Sequence, residues 1–280
     1  MDINKMIHIK SKTGLFEINF SEIWHYRDLI FLFFKRNYIT RYKQTVLGPL
    51  WLIFNPLITV SLYAFVFGNL AGLAESGVPQ ILFYLAGNGI WAYFAACLTQ
   101  TATTFTTNSG IMGKVYFPRL VMPLSSVLSG IFDLLIQIII LIAFMFIYYI
   151  KGYVFNLDTK LLCIPLLVLQ TGLLGLGFGI IIASLTTKYR DLAVLVGFSV
   201  QLWMYATPVV YSLKLVPEKL YNLYMLNPMA PIMVCWRKSV IGIGSFPTFY
   251  WGLSWITTIV VLSVGILLFN KIEKTFMDTV

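Results

Sequence analysis

Few side chains in this sequence are of the types that carry out catalysis. Its 280 residues include two histidines, His8 and His25, and three cysteines that lie far apart without a CxxC spacing. The sequence contains no HExxH motif, no paired DxD and no cluster with metal-ligand spacing. The nearest approach to a phosphate-binding loop is Gly113–Val115, with Asn108 at the first glycine position and valine at the end. The sequence therefore predicts no catalytic site, no metal site and no ATP hydrolysis of that kind.

One acid lies within a long apolar stretch. Asp133 is part of LSGIFDLLIQIII and has no charged neighbour within reach on the same predicted helix. An ionised carboxylate in hydrocarbon is energetically costly, so Asp133 must pair with another group, line a water-filled path or be protonated. A proton relay is one interpretation. A structural hydrogen bond, for example with Gln137, is favoured because no other predicted span offers a matching buried cation.

Aromatic side chains make up 16% of the chain and offer a second chemistry, stacking on sugar rings. Rings near the ends of spans are also typical of an interfacial belt, and on the residues alone the belt is favoured. The alternative is a flat, weakly selective path for a sugar polymer. The rings assigned to such a path are Tyr63, Phe67, Trp91, Phe94, Trp203, Tyr205 and Tyr211.

The elements that must position these side chains have the composition of an integral membrane protein. Hydrophobic residues make up 59% of the chain, charged residues 11%, and the mean hydropathy is +0.82. Apolar runs long enough to cross about 30 Å of hydrocarbon recur along it. The net charge of +9 fits cations at a lipid surface better than nucleic-acid binding. Six spans are predicted, at 50–70, 81–104, 121–149, 161–185, 192–212 and 249–269.

The basic residues predict the orientation of these spans. With a cytoplasmic N-terminus, fourteen of the 20 lysines and arginines fall in inner segments and six in outer ones. Both termini are therefore expected in the cytoplasm, with no cleaved signal peptide. The predicted division is a cytoplasmic segment with an amphipathic interface helix at 1–48, a membrane domain at 49–270 and a cytoplasmic tail at 271–280.

The interface helix and the first span are predicted to meet at a sharp corner. Ile23, Tyr26 and Ile30 recur at helical spacing, although LIFLFF, residues 29–34, is apolar all round. We therefore expect this helix to be half sunk in lipid or packed on other spans. Proline suits the first turn of a helix and glycine permits the bend, so Gly48-Pro49 marks the corner.

Three further segments have unusual composition. The stretch TGLLGLGFG, residues 171–179, lies inside a predicted span and indicates close helix packing rather than a nucleotide loop. Residues 213–246 contain two apolar pieces too short to span, which predicts re-entrant or outer-leaflet helices. The connection 108–123 contains the apolar sequence VYFP. Exposure of these side chains to water in a free loop would be unfavourable, which predicts a protein partner.

Four blocks of this sequence, taken in order, resemble one known family. They are RDLIFLFFKRNYITRYKQTVLGPLWLIFNPL, NSGIMGKVYFPRLVMPLSSV, KYRDLAVLVGFSVQLWMYATPVVYSLKLVPEKL and NPMAPIMVCWRKSVIG. Their order and spacing are similar to those of the membrane subunits of type-2 ATP-binding-cassette exporters for bacterial polysaccharides, which move O-antigen, capsule or teichoic acid. The resemblance covers most of the chain.

The resemblance implies an all-α, six-span permease that is not itself an enzyme. It implies a homodimer in the bacterial cytoplasmic membrane, carrying lipid-linked polysaccharide, most closely O-antigen. A separate ATPase subunit would bind ATP and magnesium. The aromatic path gains support from this resemblance. The implied contact with the ATPase consists of Asn108, Gly113, Lys114, Val115, Tyr116, Phe117, Pro118, Arg119, Lys188, Tyr189, Arg190 and Asp191. The implied outer gate, within 213–246, includes Pro217, Tyr221, Pro228, Pro231 and Trp236.

Two other functions remain open on the residues. A type-2 exporter of drugs or other small hydrophobic molecules would share this architecture, and neighbouring genes would distinguish it from a polysaccharide exporter. A membrane glycosyltransferase would need clustered acids or bases at the membrane surface. The sequence offers only Asp133 within a span and the scattered Asp28 and Asp191.

Overall fold

The computed structural model describes residues 20–43, 45–112, 117–156, 158–186 and 192–275, and these residues are helical without a β-strand. The α-helices are α1 (Phe20–His25), α2 (Arg27–Tyr42), α3 (Trp51–Tyr63), α4 (Gln80–Ala102), α5 (Thr104–Met112), α6 (Val121–Ile150), α7 (Ile164–Thr186), α8 (Leu192–Tyr205), α9 (Glu218–Met225), α10 (Met229–Ile241) and α11 (Thr248–Thr275). Short 3₁₀ turns at Gly48–Leu50 and Thr159–Cys163 precede α3 and α7, another lies at Leu213–Leu215, and a π-helical segment, Ala64–Leu70, follows α3.

Five helical segments in the described ranges are long and apolar enough to cross a membrane. They are Gly48–Leu70, Gln80–Ala102, Val121–Ile150, Thr159–Thr186 and Thr248–Asn270. These segments correspond to five of the six predicted spans. The last helix continues to Thr275, so the predicted tail from 271 begins inside α11.

The predicted span at 192–212 is shorter as a helix than expected. Helix α8 has 14 residues and ends at Tyr205, which gives about 21 Å of helix against about 30 Å of hydrocarbon. After Tyr205 the chain turns instead of continuing the helix. Pro208 has no N–H to donate and disfavours helical backbone at Thr207, which explains why the helix stops here.

Helix α4 lies at the centre of the bundle. Of the residues in its most apolar part, 78% are buried, against 6% for the first span. It packs on α3, α6, α7, α8 and α10, and the main core cluster forms around its side chains. Helix α4 therefore forms the core of the bundle, while α11 packs on α7 and α10.

Glycines let α7 approach two neighbouring helices closely. A Cβ at Gly175 would lie 2.8 Å from Cβ of Cys97, and a Cβ at Gly179 would lie 2.5 Å from Cβ of Thr101, both on α4. On another face, a Cβ at Gly177 would lie 3.1 Å from Cα of Leu262 in α11. The prediction that this glycine-rich stretch serves helix packing is therefore confirmed.

The corner before the first span has the predicted form. Gly48 has a φ of +51°, in the left-handed region that favours glycine, and Pro49 follows in the first turn of the 3₁₀ segment. Before the corner, α2 packs along α6, where its Phe34 and Tyr38 rings lie 5.8 Å and 5.2 Å from the ring of Phe132. Of the two expectations for this helix, half sunk in lipid or packed on other spans, these contacts favour packing on a span.

The alternation of helix directions gives the bundle two ends. We call the end with α1, α2, α5 and the segment before α6 the proximal end. The end with the connections 71–79, 151–158 and 206–247 is the distal end. Contacts at the distal end include the backbone bond from Ser212 N to Leu73 O, 3.0 Å, and the bond from the Tyr153 hydroxyl to Gly77 O, 3.4 Å.

Candidate functional site

The distal end is covered by α9 and α10, which are fastened to the long helices by side-chain hydrogen bonds. The indole nitrogen of Trp236 donates to Ala86 O of α4 at 2.9 Å. The hydroxyl of Ser254 in α11 donates to Pro228 O at 2.8 Å. These two bonds connect α10 to α4 and, through the residue that precedes α10, to α11.

Asn227 joins the same cover to the end of α8. Its side-chain oxygen accepts from the indole nitrogen of Trp203 at 2.9 Å. Its side-chain nitrogen donates to Ala206 O at 2.8 Å and to the Thr207 hydroxyl at 3.0 Å. One amide thus replaces part of the hydrogen bonding that α8 loses when the helix ends.

Arg237 lies at the centre of this arrangement and is 5% exposed. Its two terminal nitrogens donate to Pro208 O at 2.5 Å and Val209 O at 2.6 Å, and its guanidinium carbon lies 3.8 Å from the ring centre of Phe83. A buried arginine is stabilised by such paired carbonyls and by the aromatic face. Sequence reasoning counted Arg237 only as an outer cation. Its position inside the apolar block NPMAPIMVCWRKSVIG was the available signal.

Gly87 provides the space for this guanidinium. A Cβ at that position would lie 2.6 Å from Nη2 of Arg237 and 2.9 Å from the backbone oxygen of Val209. The second contact is with backbone, which cannot rotate away. Glycine at 87 is therefore a geometric requirement of the Arg237 site.

An ion pair at the distal surface ties the connection before α4 to the connection after α8. The Glu75 carboxylate accepts from Lys214 Nζ at 2.5 Å and also from the Ser212 hydroxyl. Partial burial acts to raise the pKa of Glu75, but the bonds from Lys214 and Ser212 outweigh it and hold that pKa below its ordinary value. Glu75 therefore stays ionised at neutral pH and holds the two connections together.

The predicted gate residues occupy two environments. Pro231 and Trp236 are buried inside α10, and Pro228 immediately precedes that helix. Pro217 is exposed at the start of α9, and the ring of Tyr221 lies 5.9 Å from that of Tyr250. The buried members act in packing in this conformation, whereas α9 presents the exposed part of the cover.

The predicted aromatic path is divided in the same way. Phe94 has no exposed surface and Trp91 is buried, because their rings pack on each other at 5.4 Å and Phe94 packs on Trp203 at 5.2 Å. In this conformation Phe94 and Trp91 are core residues, and their assignment to a substrate surface stays a prediction. The path rings that keep exposed surface are Tyr63, Phe67, Trp203, Tyr205 and Tyr211.

At the proximal end, the described part of the predicted ATPase contact is attached to α2. Asn108 of α5 accepts a hydrogen bond from Arg36 Nη2 at 2.8 Å. The buried ring of Phe117 lies 5.6 Å from that of Phe33. Pro118 is buried and Arg119 is partly buried. The predicted contact residues at 113–116 and 188–191 lie outside the described ranges.

Arg36 and Phe33 are proximal contacts that sequence reasoning did not single out. The guanidinium carbon of Arg36 lies 4.8 Å from the ring centre of Phe33, so the cation lies over the aromatic face while it reaches Asn108. The signal was weak because both residues belong to an apolar and basic helix whose neighbours could not be inferred.

Asp133 pairs with a cation from outside the predicted spans. Its Oδ2 accepts from Arg41 Nη1 of α2 at 2.7 Å. The favoured partner, Gln137, instead accepts from Asn88 of α4 at 3.3 Å. Assigning Gln137 was wrong because the end of α2 runs along α6 and brings Arg41 within reach, which the spacing along one helix could not reveal.

The described residues contain no group of three or more His, Cys, Asp or Glu side chains that could hold a metal ion. Cys97 and Cys235 are buried, Cys163 is partly buried, and all three are free thiols. The features in these parts of the molecule are packing contacts, hydrogen-bonded covers and ion pairs. Such an arrangement can transmit movement between the ends of a bundle.

Residues 28–241 match the protein family described as ABC-2 type transporter. The chain belongs to this family. A protein from Klebsiella pneumoniae, the O-antigen export system permease protein RfbA, is 31% identical over 252 residues, which cover 90% of this chain and 94% of that relative. A second Klebsiella pneumoniae protein of the same name is 30% identical over the same shares. A protein of that name from Myxococcus xanthus is 26% identical over 77% of this chain and 81% of its own length.

Proposed function

We propose that this chain is the membrane subunit of an ATP-driven exporter that moves O-antigen polysaccharide across the cytoplasmic membrane. The observation that carries the proposal is the similarity to two O-antigen export permeases, at 31% and 30% identity over 90% of the chain. Similarity over this share includes both ends of the bundle, so it extends to the proximal attachment and the distal cover. A separate ATPase subunit supplies the energy and binds ATP and magnesium.

The working assembly is a homodimer of six-span subunits, with both termini in the cytoplasm of a bacterial cell. In this assembly the predicted span at 192–212 is the fifth of the six crossings in chain order, and its helical part is α8, Leu192–Tyr205. The excess of cations in the proximal segments supports a cytoplasmic proximal end. Membrane lipid surrounds the exposed faces of the outer helices, and the polysaccharide is carried on a lipid.

The ATPase subunit acts on the proximal end through the segment 108–119 and a smaller contact at 188–191. Two contacts support this route. The Phe117 ring against Phe33 and the Arg36 bond to Asn108 attach the segment to α2, and α2 in turn packs along α6. A displacement of this segment is passed to the bundle because none of these groups can move without breaking a packed contact.

The distal cover is the exit gate, and the exposed aromatic rings form the sugar surface leading to it. Because α10 is bonded to α4 through Trp236 and to the end of α8 through Arg237, rearrangement of either helix moves the cover. Tyr63, Phe67, Trp203, Tyr205 and Tyr211 present ring faces to the passing polymer. Stacking on flat rings without a charged partner gives weak, repeated binding, which suits a sliding chain.

Deletion of the gene tests the substrate. We expect O-antigen to disappear from the cell surface and lipid-linked glycan to accumulate inside, with recovery on expression of the intact chain. Surface-labelled and total glycan are measured in the same cells. Normal surface glycan together with a new sensitivity to hydrophobic drugs would instead identify an exporter of small molecules.

Charge reversal tests the proximal contact. The double variant Lys114→Glu/Arg119→Glu should reach the membrane in normal amount but lose ATPase-coupled export. Lys35→Glu, at an exposed cation of α2 outside the segment 108–119, is the matched control and should export normally. Normal export by the double variant would contradict the coupling role while leaving the assignment of the substrate untouched.

A further inference from the structure

An apolar cavity opens on the side of the bundle near its distal end. Its volume is about 440 Å³, within the range of roughly 300–1,000 Å³ that is typical of small-molecule sites. It lies between the second half of α6, the start of α7 and α10. The side chains that define it include Ile142, Met145, Phe146, Leu161, Ile164 and Trp236.

The cavity opens on an exposed face of α6 rather than toward the interior. Ile142 and Phe146 on its α6 wall are 57% and 64% exposed in the isolated chain. The indole nitrogen of Trp236 is already bonded to Ala86 O, so it offers no free donor to a polar ligand. An apolar cavity of this kind does not hold ordered water. The occupant that matches its chemistry is therefore a hydrocarbon chain.

The depth of the cavity corresponds to one leaflet of the membrane. Its α6 wall runs from Ile138 to Tyr149, a distance of about 16 Å along a helix. This is close to half of the roughly 30 Å hydrocarbon thickness. An acyl chain that enters from the distal surface would reach the end of the cavity near the middle of the membrane.

Two lysines flank the distal end of this cavity. Lys151 follows directly after α6, and Lys160 lies in the 3₁₀ turn next to the lining residue Leu161. Their ammonium groups lie 5.5 Å from the Tyr148 ring and 4.9 Å from the Phe246 ring. Within the described residues neither lysine forms a salt bridge. The nearby Asp158 carboxylate instead accepts from Thr159 N at 2.7 Å as a helix cap.

We propose that this cavity binds one acyl chain of an anionic phospholipid of the distal leaflet, whose phosphate group is held by Lys151 and Lys160. The apolar lining of the cavity selects a hydrocarbon chain, and the two lysines select an anionic headgroup. Bound lipid would fill the space between α6 and α10 and so support the distal cover. This site does not depend on which molecule the protein exports.

The test is photolabelling of the full-length chain in vesicles. Two lipids are compared, phosphatidylglycerol and phosphatidylcholine, each carrying a diazirine halfway along the same acyl chain. We expect phosphatidylglycerol to label residues 142–146 and 236–240 preferentially. Because a cation near an anionic surface changes binding by roughly fivefold, the variant Lys151→Gln/Lys160→Gln should lose about tenfold or more of this labelling. Its labelling by phosphatidylcholine should not change.

Two controls make the outcome decisive. Lys219→Gln removes an exposed cation on α9, away from the cavity, and should label like the wild type. Ile142→Trp fills the cavity and should reduce labelling by both lipids. Equal labelling by the two lipids, an equal loss in Lys219→Gln, or labelling spread evenly along α6 would each overturn the proposal. If Ile142→Trp fails to insert, the variant Lys151→Gln/Lys160→Gln carries the test alone.

Discussion

Replacing Arg237 by methionine should uncouple the distal cover from the end of α8. Methionine keeps much of the aliphatic volume but removes both bonds to the carbonyl oxygens of Pro208 and Val209, which are 2.5 Å and 2.6 Å long. It also removes the cation 3.8 Å from the ring centre of Phe83. The change therefore affects three interactions at one buried position.

The magnitude follows from the type of these contacts. Each hydrogen bond from a charged group contributes about 1.5–3 kcal/mol, and an abandoned buried carbonyl costs a comparable amount. Relief of the cost of burying a guanidinium offsets part of this loss, which leaves a net destabilisation of about 3–5 kcal/mol. At roughly 2–4 °C per kcal/mol for a chain of this size class, the melting temperature should fall by about 10 °C.

The chain contains its own reporter for this measurement. Cys97 and Cys235 are buried free thiols, so a thiol-reactive fluorescent dye will report their exposure as the purified protein is heated. Lys238→Met is the matched control, since Lys238 is partly exposed and donates only a 3.4 Å bond to Gly242 O. It should change stability by less than about 0.5 kcal/mol.

A lysine at position 237 separates the effect of the charge from that of the two hydrogen bonds. Arg237→Lys keeps the charge but cannot donate to two carbonyls with the fixed geometry of a guanidinium, so it should melt between Arg237→Met and the wild type. Export of surface glycan should decline in the same order. If Arg237→Met melts within about 2 °C of the wild type, which is less than 1 kcal/mol on the same scale, the argument from these hydrogen bonds is refuted.

Three further changes test separate contacts. Because the pKa of Glu75 is lowered, its pair with Lys214 should stabilise the protein fully above the ordinary glutamate pKa of about 4.3, and this contribution should be lost as the pH falls through the lowered folded value. The difference in melting temperature between wild type and Glu75→Gln, followed from pH 7 to pH 3, measures it, and a constant difference would contradict it. Gly177→Leu should separate α7 from α11 and destabilise by about 1–3 kcal/mol, whereas wild-type melting would argue against the close approach. Arg41→Asp and Asp133→Arg should each reduce the folded yield and the double exchange should restore part of it, and no recovery would indicate that the pair is not formed.

Sequence periodicity and composition predicted the features that depend on neighbouring residues. The five long apolar segments, the left-handed Gly48 at the corner and the close packing at Gly175, Gly177 and Gly179 all follow from local composition and spacing. Such features depend on one segment of the chain and on whether lipid or water surrounds it. The sequence provides the segment directly, and the composition indicates that the surroundings are a membrane.

Features that depend on contact between distant segments could not be predicted in this way. Arg41 and Asp133 are 92 positions apart, and nothing in either segment identifies the other. The buried α4 is less apolar than the exposed first span, so apolarity gave no indication of which of the two forms the core. The buried donors for the carbonyl oxygens that follow α8 come from Arg237, which is 28 positions after Val209, and nothing near Val209 in the sequence identifies it.

The close approach of Gly87 to Arg237 constrains how this protein can change over evolution. Any side chain at 87 would occupy the space of the guanidinium, and loss of the guanidinium would leave the backbone oxygens of Pro208 and Val209 without their donor. Neither position can be exchanged alone without passing through a less stable protein. Among relatives of this chain, arginine at 237 should therefore occur together with glycine at 87. The two positions are therefore expected to be retained together, although they are far apart in the gene.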